Sequence, residues 1–165
     1  MGKISPTRFE NGRPMLLGGL RRHHELAAAA QGIAAQWREL MAQDAVPGRV
    51  GTSYYGVICG SDGRSVEYMC AVEVESLPGL PEHFGRMRVP GQRYAVFRHE
   101  PSTAALQTTW QRAFDWLTHG AYESAHLPDF ELYGPGTSPL DPSDGIEIWL
   151  GVVQKGTAEH GRLRI

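Results

Sequence analysis

Apolar residues recur along this chain with two spacings, one typical of helices and the other typical of strands. Across residues 24–42 the apolar side chains fall three or four positions apart, which places them on one face of a helix. A second helix is predicted over about residues 103–117, with Ser102 as a candidate N-cap. Its apolar stripe consists of Leu106, Trp110, Ala113, Phe114 and Leu117.

The predicted strands are short apolar runs separated by turn residues. Asp62 and Gly63 lie between two of these runs, and this dipeptide is a strong signal for a β-hairpin. The predicted order of elements is β-α-β-β followed by a second β-α-β-β. The strands cover residues 14–20, 53–60, 66–74, 94–97, 129–133 and 146–153.

The two halves also share a weak sequence repeat. Each predicted helix contains a tryptophan, Trp37 or Trp110, that is followed closely by an arginine. Residues 68–72 and 146–150 follow the same strand pattern. Together with the repeated order of elements, this weak repeat indicates a duplicated module.

These patterns predict one α+β domain over residues 14–153, built from tandem β-α-β-β modules. Its antiparallel strands are predicted to carry the helices on one face. Residues 1–13 are polar and predict a flexible N-terminal arm, and residues 154–165 predict a polar C-terminal tail.

Side chains alternate between the two faces of a strand, so the last strand has two different sides. One side is apolar throughout and is predicted to pack under the helices: Ile146, Ile148, Leu150 and Val152. If the modules pack side by side about a pseudo-twofold axis, the opposite sides of both final strands meet there. That surface would contain Met69, Ala71, Glu147 and Trp149, with Glu73 at its edge.

A carboxylate beside aromatic rings is a suitable receptor for an organic cation. Ring faces attract cations, and a partly desolvated carboxylate such as Glu147 adds charge pairing. The simpler alternative is that Glu147 is an ordinary solvent-facing residue on a half-exposed sheet, because sheets with one wet face are common.

Composition narrows the possible functions. The 165 residues contain 16 basic and 18 acidic side chains, so no basic excess indicates nucleic-acid binding. Cys59 and Cys70 are too few for a disulfide scaffold, and no spaced set of His, Cys and Asp suggests a metal site or a cofactor. No signal peptide or membrane-length apolar run is apparent, so we expect a cytoplasmic protein without a membrane partner.

Five segments of the chain together follow the pattern of a known family: YAVFRHE (94–100), LQTTW (106–110), WL (116–117), PDFELY (128–133) and IEIWL (146–150). They resemble the GyrI-like family, whose members are the effector-binding domains of AraC-type and MerR-type multidrug regulators and also occur as standalone proteins. The resemblance covers roughly residues 14–153.

The resemblance implies a pseudo-twofold fold with a central ligand groove that binds lipophilic, often cationic, compounds. The family's acidic residue in the last strand maps onto Glu147. Its groove aromatics map onto Trp149, Tyr94, Trp110 and Tyr133. One departure is Leu150-Gly151-Val152, where many members of the family have a proline near the end of the strand.

We therefore expect a standalone protein, a monomer or homodimer, that binds a small lipophilic cation. About 13 residues precede the first predicted strand, so we expect no DNA-binding domain and no direct contact with DNA. One alternative is a hydrolase of reactive xenobiotics with Glu147 as general base. Another is a protein inhibitor of a partner enzyme such as gyrase.

Overall fold

The computed structural model describes residues 3–101, 105–142 and 145–156. They form one antiparallel sheet with two α-helices packed on one of its faces. The strands are β1 (Arg8–Gly12), β2 (Met15–Glu25), β3 (Tyr54–Ser61), β4 (Ser65–Val74), β5 (Gly85–Val89), β6 (Gln92–His99), β7 (Tyr122–Ser124), β8 (Phe130–Tyr133) and β9 (Ile146–Gln154). A 3₁₀ turn (Leu26–Ala28) leads into α1 (Ala29–Met41), and α2 is Leu106–His119.

The strand order across the sheet has internal symmetry. It is β1-β6-β9-β8-β3-β4-β2-β5, with β7 paired to β9. Outward from the β3–β8 junction, β3-β4-β2-β5 on one side corresponds to β8-β9-β6-β1 on the other. The order confirms the predicted tandem modules, β2-α1-β3-β4 and β6-α2-β8-β9, and places their pseudo-twofold axis between β3 and β8.

Both helices cover the sheet face that strand alternation predicted for them. Trp37 and Leu40 of α1 pack on Tyr68 and Cys70 of β4 in one core cluster. In a second core cluster, α2 packs on the apolar side of β9. This cluster includes Trp110, Ala113, Leu117, Ile148, Leu150 and Val152. We call this side of the sheet the helix face.

The other side of the sheet, which we call the helix-free face, is also largely buried. Leu17, Met69 and Val96 on this face are each 0% exposed although neither helix covers them. The sheet is curled into a half-barrel, and its own strands therefore shield this second apolar cluster.

The structure differs from the sequence-based prediction at several element boundaries. Residues 8–12, predicted as part of a flexible arm, form β1 and pair with β6. Phe9 anchors this strand, because its ring lies 5.0 Å from Tyr122 and 6.1 Å from Trp116. The short strands β5 and β7 were not predicted either. Ser102, the proposed N-cap of the second helix, lies outside the described residues, and α2 begins at Leu106 after an Ala105 N-cap.

The first helix begins later than its apolar periodicity predicted. Strand β2 continues to Glu25, so His24 pairs with Val66 of β4 instead of starting a helix. The predicted hairpin between β3 and β4 is confirmed, and a β-bulge shifts its register between Ile58 and Gly60.

Two other features concern the part of the chain that the structure describes. None of its helices is long and apolar enough to cross a membrane. Within the same residues, no group of three or more His, Cys, Asp or Glu side chains could hold a metal ion.

Candidate functional site

The predicted site residues fall on both faces of the sheet. Trp110 and Tyr133 lie on the helix face, in the protein core. Trp110 projects from α2. Tyr133 is on β8, where Phe130 and Leu132 point to the helix-free face and Glu131 and Tyr133 point to the helix face. The remaining six lie on the helix-free face: Met69, Ala71, Glu73, Tyr94, Glu147 and Trp149.

The two final strands do not meet at the pseudo-twofold axis as the sequence suggested. Strands β8 and β3 lie between β9 and β4, so the junction is formed by the two middle strands instead. Met69 and Ala71 are 0% exposed and contribute to the buried floor of the helix-free face, not to an open surface.

An aromatic pocket of about 340 Å³ opens on the helix-free face, and we call it the groove. Four rings form its continuous wall: Tyr94 lies 5.1 Å from Trp149 and 5.4 Å from Phe130, and Phe130 stacks on Trp149 at 5.6 Å. Tyr55 completes the wall at 5.4 Å from Phe130. The residues lining the groove are Asn11, Gly12, Arg13, Met15, Tyr55, Tyr94, Phe130, Leu132 and Trp149.

Glu147 lies near this groove but is already paired with an arginine. Arg8 of β1 donates two hydrogen bonds to its carboxylate, at 2.7 and 3.1 Å. The indole N–H of Trp149 donates a third, at 3.1 Å. Partial burial alone would raise the pKa of Glu147, but the hydrogen bonds from Arg8 and Trp149 outweigh it, so the pKa lies below its usual value.

This environment does not favour Glu147 as a general base. A base is most effective when its pKa lies near the working pH, and a lowered pKa makes a carboxylate a weaker proton acceptor. The ion pair with Arg8 also occupies both carboxylate oxygens. Glu147 is suited to charge pairing more than to proton transfer.

Glu73, the second predicted acid, is similarly neutralised. Arg13 follows β1 and donates to both carboxylate oxygens, at 2.5 and 2.7 Å. Glu73 is 6% exposed, so this arginine provides the opposite charge that a buried carboxylate requires. The N-terminal segment thus supplies a cation to each predicted acid.

A different carboxylate, Glu131, forms a buried polar centre on the helix face. Its Oε1 accepts hydrogen bonds from the hydroxyls of Tyr68, at 2.8 Å, and Tyr133, at 2.9 Å. Its Oε2 accepts one from the indole N–H of Trp110, at 2.9 Å. The Tyr68 hydroxyl in turn accepts a hydrogen bond from the indole N–H of Trp37, at 3.2 Å.

This Glu131 centre joins the two halves of the molecule. Trp37 and Tyr68 belong to the first module, and Trp110 and Tyr133 belong to the second. Both tryptophans of the sequence repeat therefore direct their N–H groups to one network. Trp110 and Tyr133, which the family resemblance assigned to the groove with Glu147, instead surround a carboxylate on the opposite face.

Glu131 lies at the symmetry junction itself. It pairs with Gly56 across β3 and β8. The two also occupy equivalent positions in their modules, since Gly56 pairs with Cys70 and Glu131 with Ile148. A Cβ atom on Gly56 would collide with the Tyr68 hydroxyl and with Oε1 of Glu131, so only glycine leaves room for the centre.

Burial dominates the acid–base properties of the Glu131 centre. Desolvation raises the pKa of Glu131 even though three hydrogen bonds to the carboxylate oppose that rise. Desolvation and the nearby carboxylate also hold the pKa values of Tyr68 and Tyr133 well above their ordinary value. The hydroxyls therefore remain donors and leave any negative charge of the centre on Glu131.

The solved structures of other proteins identify the class of this fold. The C-terminal domain of EcmrR matches with a TM-score of 0.64 at 14% identity, covering 89% of this chain and 96% of that domain. SAV2435, solved bound to tetraphenylphosphonium, matches with a TM-score of 0.59 at 21% identity, covering 93% of this chain and 97% of that one. The chain therefore has the fold of the EcmrR C-terminal domain and of SAV2435.

A more particular assignment comes from the sequence profile of one family. The profile of Cass2, the integron-associated effector-binding proteins, matches residues 14–152, and the chain belongs to this family. The transcriptional regulator BrlR of Pseudomonas aeruginosa is 27% identical over 100 residues, which are 59% of this chain but 37% of BrlR. The chain thus matches little more than a third of that regulator. The family resemblance inferred from sequence is confirmed.

Proposed function

We propose that this protein binds a lipophilic organic cation and that Glu131 is the carboxylate that receives it. The state of Glu131 is the observation that carries the proposal. The side chain is 4% exposed, and its hydrogen-bond partners among the described residues are three neutral donors and no cation. An ionised carboxylate buried without an opposite charge costs several kcal/mol, and a weakly hydrated cation would remove that cost.

The aromatic surroundings of Glu131 suit the same type of ligand. The rings of Trp37 and Tyr133 lie 5.4 Å apart, and Trp37 and Tyr68 lie 6.3 Å apart. Aromatic faces attract organic cations most strongly where water is excluded. A ligand with apolar substituents around its charge would find both the electrostatic and the dispersive contacts that it needs.

Access to Glu131 involves α2. Trp110 covers one carboxylate oxygen, and Phe114 stacks on the outer side of its indole at 5.6 Å. Phe114 is 43% exposed, which is high for a large apolar side chain. A ligand that reaches Glu131 from the helix face must therefore displace the Trp110–Phe114 stack and replace the hydrogen bond of the Trp110 indole.

The relatives support this class of ligand. SAV2435, which shares the fold, was solved with tetraphenylphosphonium, a lipophilic cation. Glu147, the acid chosen from the sequence, remains the other possible receptor. It is less suitable, because Arg8 already neutralises it.

Calorimetric titration with tetraphenylphosphonium tests the proposal, with uncharged triphenylphosphine oxide as the neutral comparison. We expect micromolar binding of the cation by the wild type. Glu131→Gln should weaken cation binding at least about tenfold, equivalent to about 1.4 kcal/mol, and should affect the neutral compound much less. Glu147→Gln is the matched control, because it removes the same charge from the opposite face and should leave cation affinity nearly unchanged.

The two variants distinguish Glu131 from Glu147 as the carboxylate that receives the cation. Loss of affinity in Glu147→Gln alone would assign the cation to the groove and refute the role of Glu131. Equal loss for cation and neutral compound in Glu131→Gln would refute charge pairing. Circular dichroism and the melting temperature of each variant establish that the protein is folded.

The affinity should also depend on pH. Because burial raises the pKa of Glu131, protonation removes its charge at a higher pH than for an ordinary glutamate. Cation binding to the ionised form should therefore strengthen as pH rises through that pKa and should release a proton. The affinity of the neutral compound should not follow this trend.

A further inference from the structure

The groove on the helix-free face is a second candidate site, separate from Glu131. Its wall is the connected set of rings formed by Tyr55, Phe130, Tyr94 and Trp149. Its volume of about 340 Å³ falls within the range of small-molecule pockets. Flat rings in contact with one another favour a planar aromatic occupant, which can stack on them or meet their edges.

The carboxylates of Glu147 and Glu73, beside the groove, are already paired with arginines. Arg8 binds Glu147 through both terminal nitrogens, and its guanidinium carbon lies 5.7 Å from the centroid of the Trp149 ring. Arg13 binds Glu73 in the same two-pronged manner. Each guanidinium thus takes the place that an organic cation would occupy at these carboxylates, and Arg8 also supplies the cation that faces Trp149.

Arg8 is held in this position by a second acid and by its strand. Its Nε donates to Glu10 at 2.6 Å, and β1 is paired with β6 over its whole length. A free cation would compete with a guanidinium that is tethered beside its partner and pays little entropy to bind. An uncharged aromatic ligand does not compete with the guanidinium for Glu147, so these ion pairs do not weaken its binding.

We propose that the groove is a second binding site, for uncharged planar aromatic compounds, and that Arg8 sets this selectivity by neutralising Glu147. The two faces of the sheet then differ in what they accept. The helix face presents a carboxylate that has no cationic partner among the described residues. The helix-free face presents aromatic rings whose neighbouring carboxylates are already paired. The inference does not depend on ligand binding at Glu131.

Fluorescence titration with N-phenyl-1-naphthylamine, an uncharged aromatic dye that brightens in apolar surroundings, tests the site. Trp149→Leu removes one wall of the groove and should weaken dye binding at least tenfold. Glu131→Gln should change it less than twofold, because that carboxylate lies on the other face. Dye binding that is unaffected by Trp149→Leu would overturn the assignment of the site.

The role of Arg8 is tested with a planar cationic dye such as thioflavin T. Arg8→Met should create or strengthen cation binding at least fivefold, because Glu147 loses its partner. The double variant Arg8→Met/Glu147→Gln should return cation binding to the wild-type level, and both variants should retain the uncharged dye within threefold. The comparison isolates Glu147, since Glu131 is unchanged throughout.

Arg22 provides a matched control for Arg8. It also makes a two-pronged ion pair, with Glu39 at 3.0 and 2.8 Å. The two arginines are similarly exposed, and Glu39 is more exposed than Glu147. Arg22→Met should leave the affinities of both dyes unchanged. Equal cation affinity in the wild type, Arg8→Met and the double variant would overturn the proposed role of Arg8, as would an equal gain in Arg22→Met.

Discussion

The hydrogen-bond network around Glu131 makes a quantitative prediction about two similar tyrosines. Tyr68 and Tyr133 both donate to Oε1 of Glu131, at 2.8 and 2.9 Å. Only the Tyr68 hydroxyl also accepts a tryptophan N–H, that of Trp37. Replacing each tyrosine with phenylalanine keeps the ring and removes only the hydroxyl, so the pair of variants separates the two effects.

The expected magnitudes follow from the number of groups left without partners. Tyr133→Phe removes one hydrogen bond to a charged group, which is worth about 1.5–3 kcal/mol. Tyr68→Phe removes an equivalent bond and also leaves the buried N–H of Trp37 unpaired, which adds about 1–3 kcal/mol. Tyr68→Phe should therefore be the more destabilising variant by about 1–3 kcal/mol.

Urea denaturation followed by circular dichroism measures both free energies of unfolding. In a protein of this size, a further 1–3 kcal/mol should also lower the melting temperature of Tyr68→Phe by several degrees relative to Tyr133→Phe. Equal losses in the two variants, or a larger loss in Tyr133→Phe, would show that the Trp37 N–H does not depend on Tyr68. That result would refute the network as described.

Three further substitutions, the last of them a control, test the pH dependence of stability and the packing at the Glu131 centre. Burial raises the pKa of Asp129 to about 6 from an ordinary value of 3.8, so folding favours the protonated acid and stability is lost as pH rises from 4 through 6. The loss of unfolding free energy should reach up to about 3 kcal/mol. Asp129→Asn should remove most of this pH dependence in melts recorded between pH 4 and 7.5. An unchanged dependence of stability on pH would contradict the prediction. Gly56→Ala places a methyl group against Tyr68 and Glu131 and should cost about 1–3 kcal/mol of unfolding free energy. Gly60→Ala is the control in the same strand, because among the described residues no atom beyond its chain neighbours lies within 4 Å of the added Cβ. It should change stability by less than about 0.5 kcal/mol.

The main elements could be predicted from the sequence because their signals are local. The Asp62-Gly63 turn identified the β3–β4 hairpin, and alternation in β9 identified the side that packs under α2. Strand β1 has no such signal, since its sequence RFENG contains a single apolar side chain. It forms a strand because β6 offers an edge for pairing, and that edge exists only in the folded sheet.

The site was harder to predict, because its partners are distant in sequence. Alternation correctly placed Glu147 beside Trp149, which donates a hydrogen bond to it. Its ion-pair partner Arg8 lies 139 residues away, and no local pattern connects the two. The sequence therefore placed Glu147 and Trp149 side by side on β9 but gave no sign of the cation that neutralises the acid.

Glu131 was missed for a different reason. In the strand Phe130–Tyr133, alternation separates Phe130 and Leu132 from Glu131 and Tyr133. The ordinary assumption places the apolar pair under the helices and the glutamate in solvent, which is the reverse of the structure. Both faces of the half-barrel are apolar here, so the phenylalanine and leucine are buried on the helix-free side and the helix face accommodates the carboxylate.

The pairing of Gly56 with Glu131 across the β3–β8 junction has a consequence for stoichiometry. Two equivalent positions beside a twofold axis cannot both hold a glutamate, since the second side chain would collide with the first and repel its charge. A duplicated architecture thus presents a single, off-axis charge instead of two. A cation recognised there would be counted once per chain, however closely the two modules resemble one another.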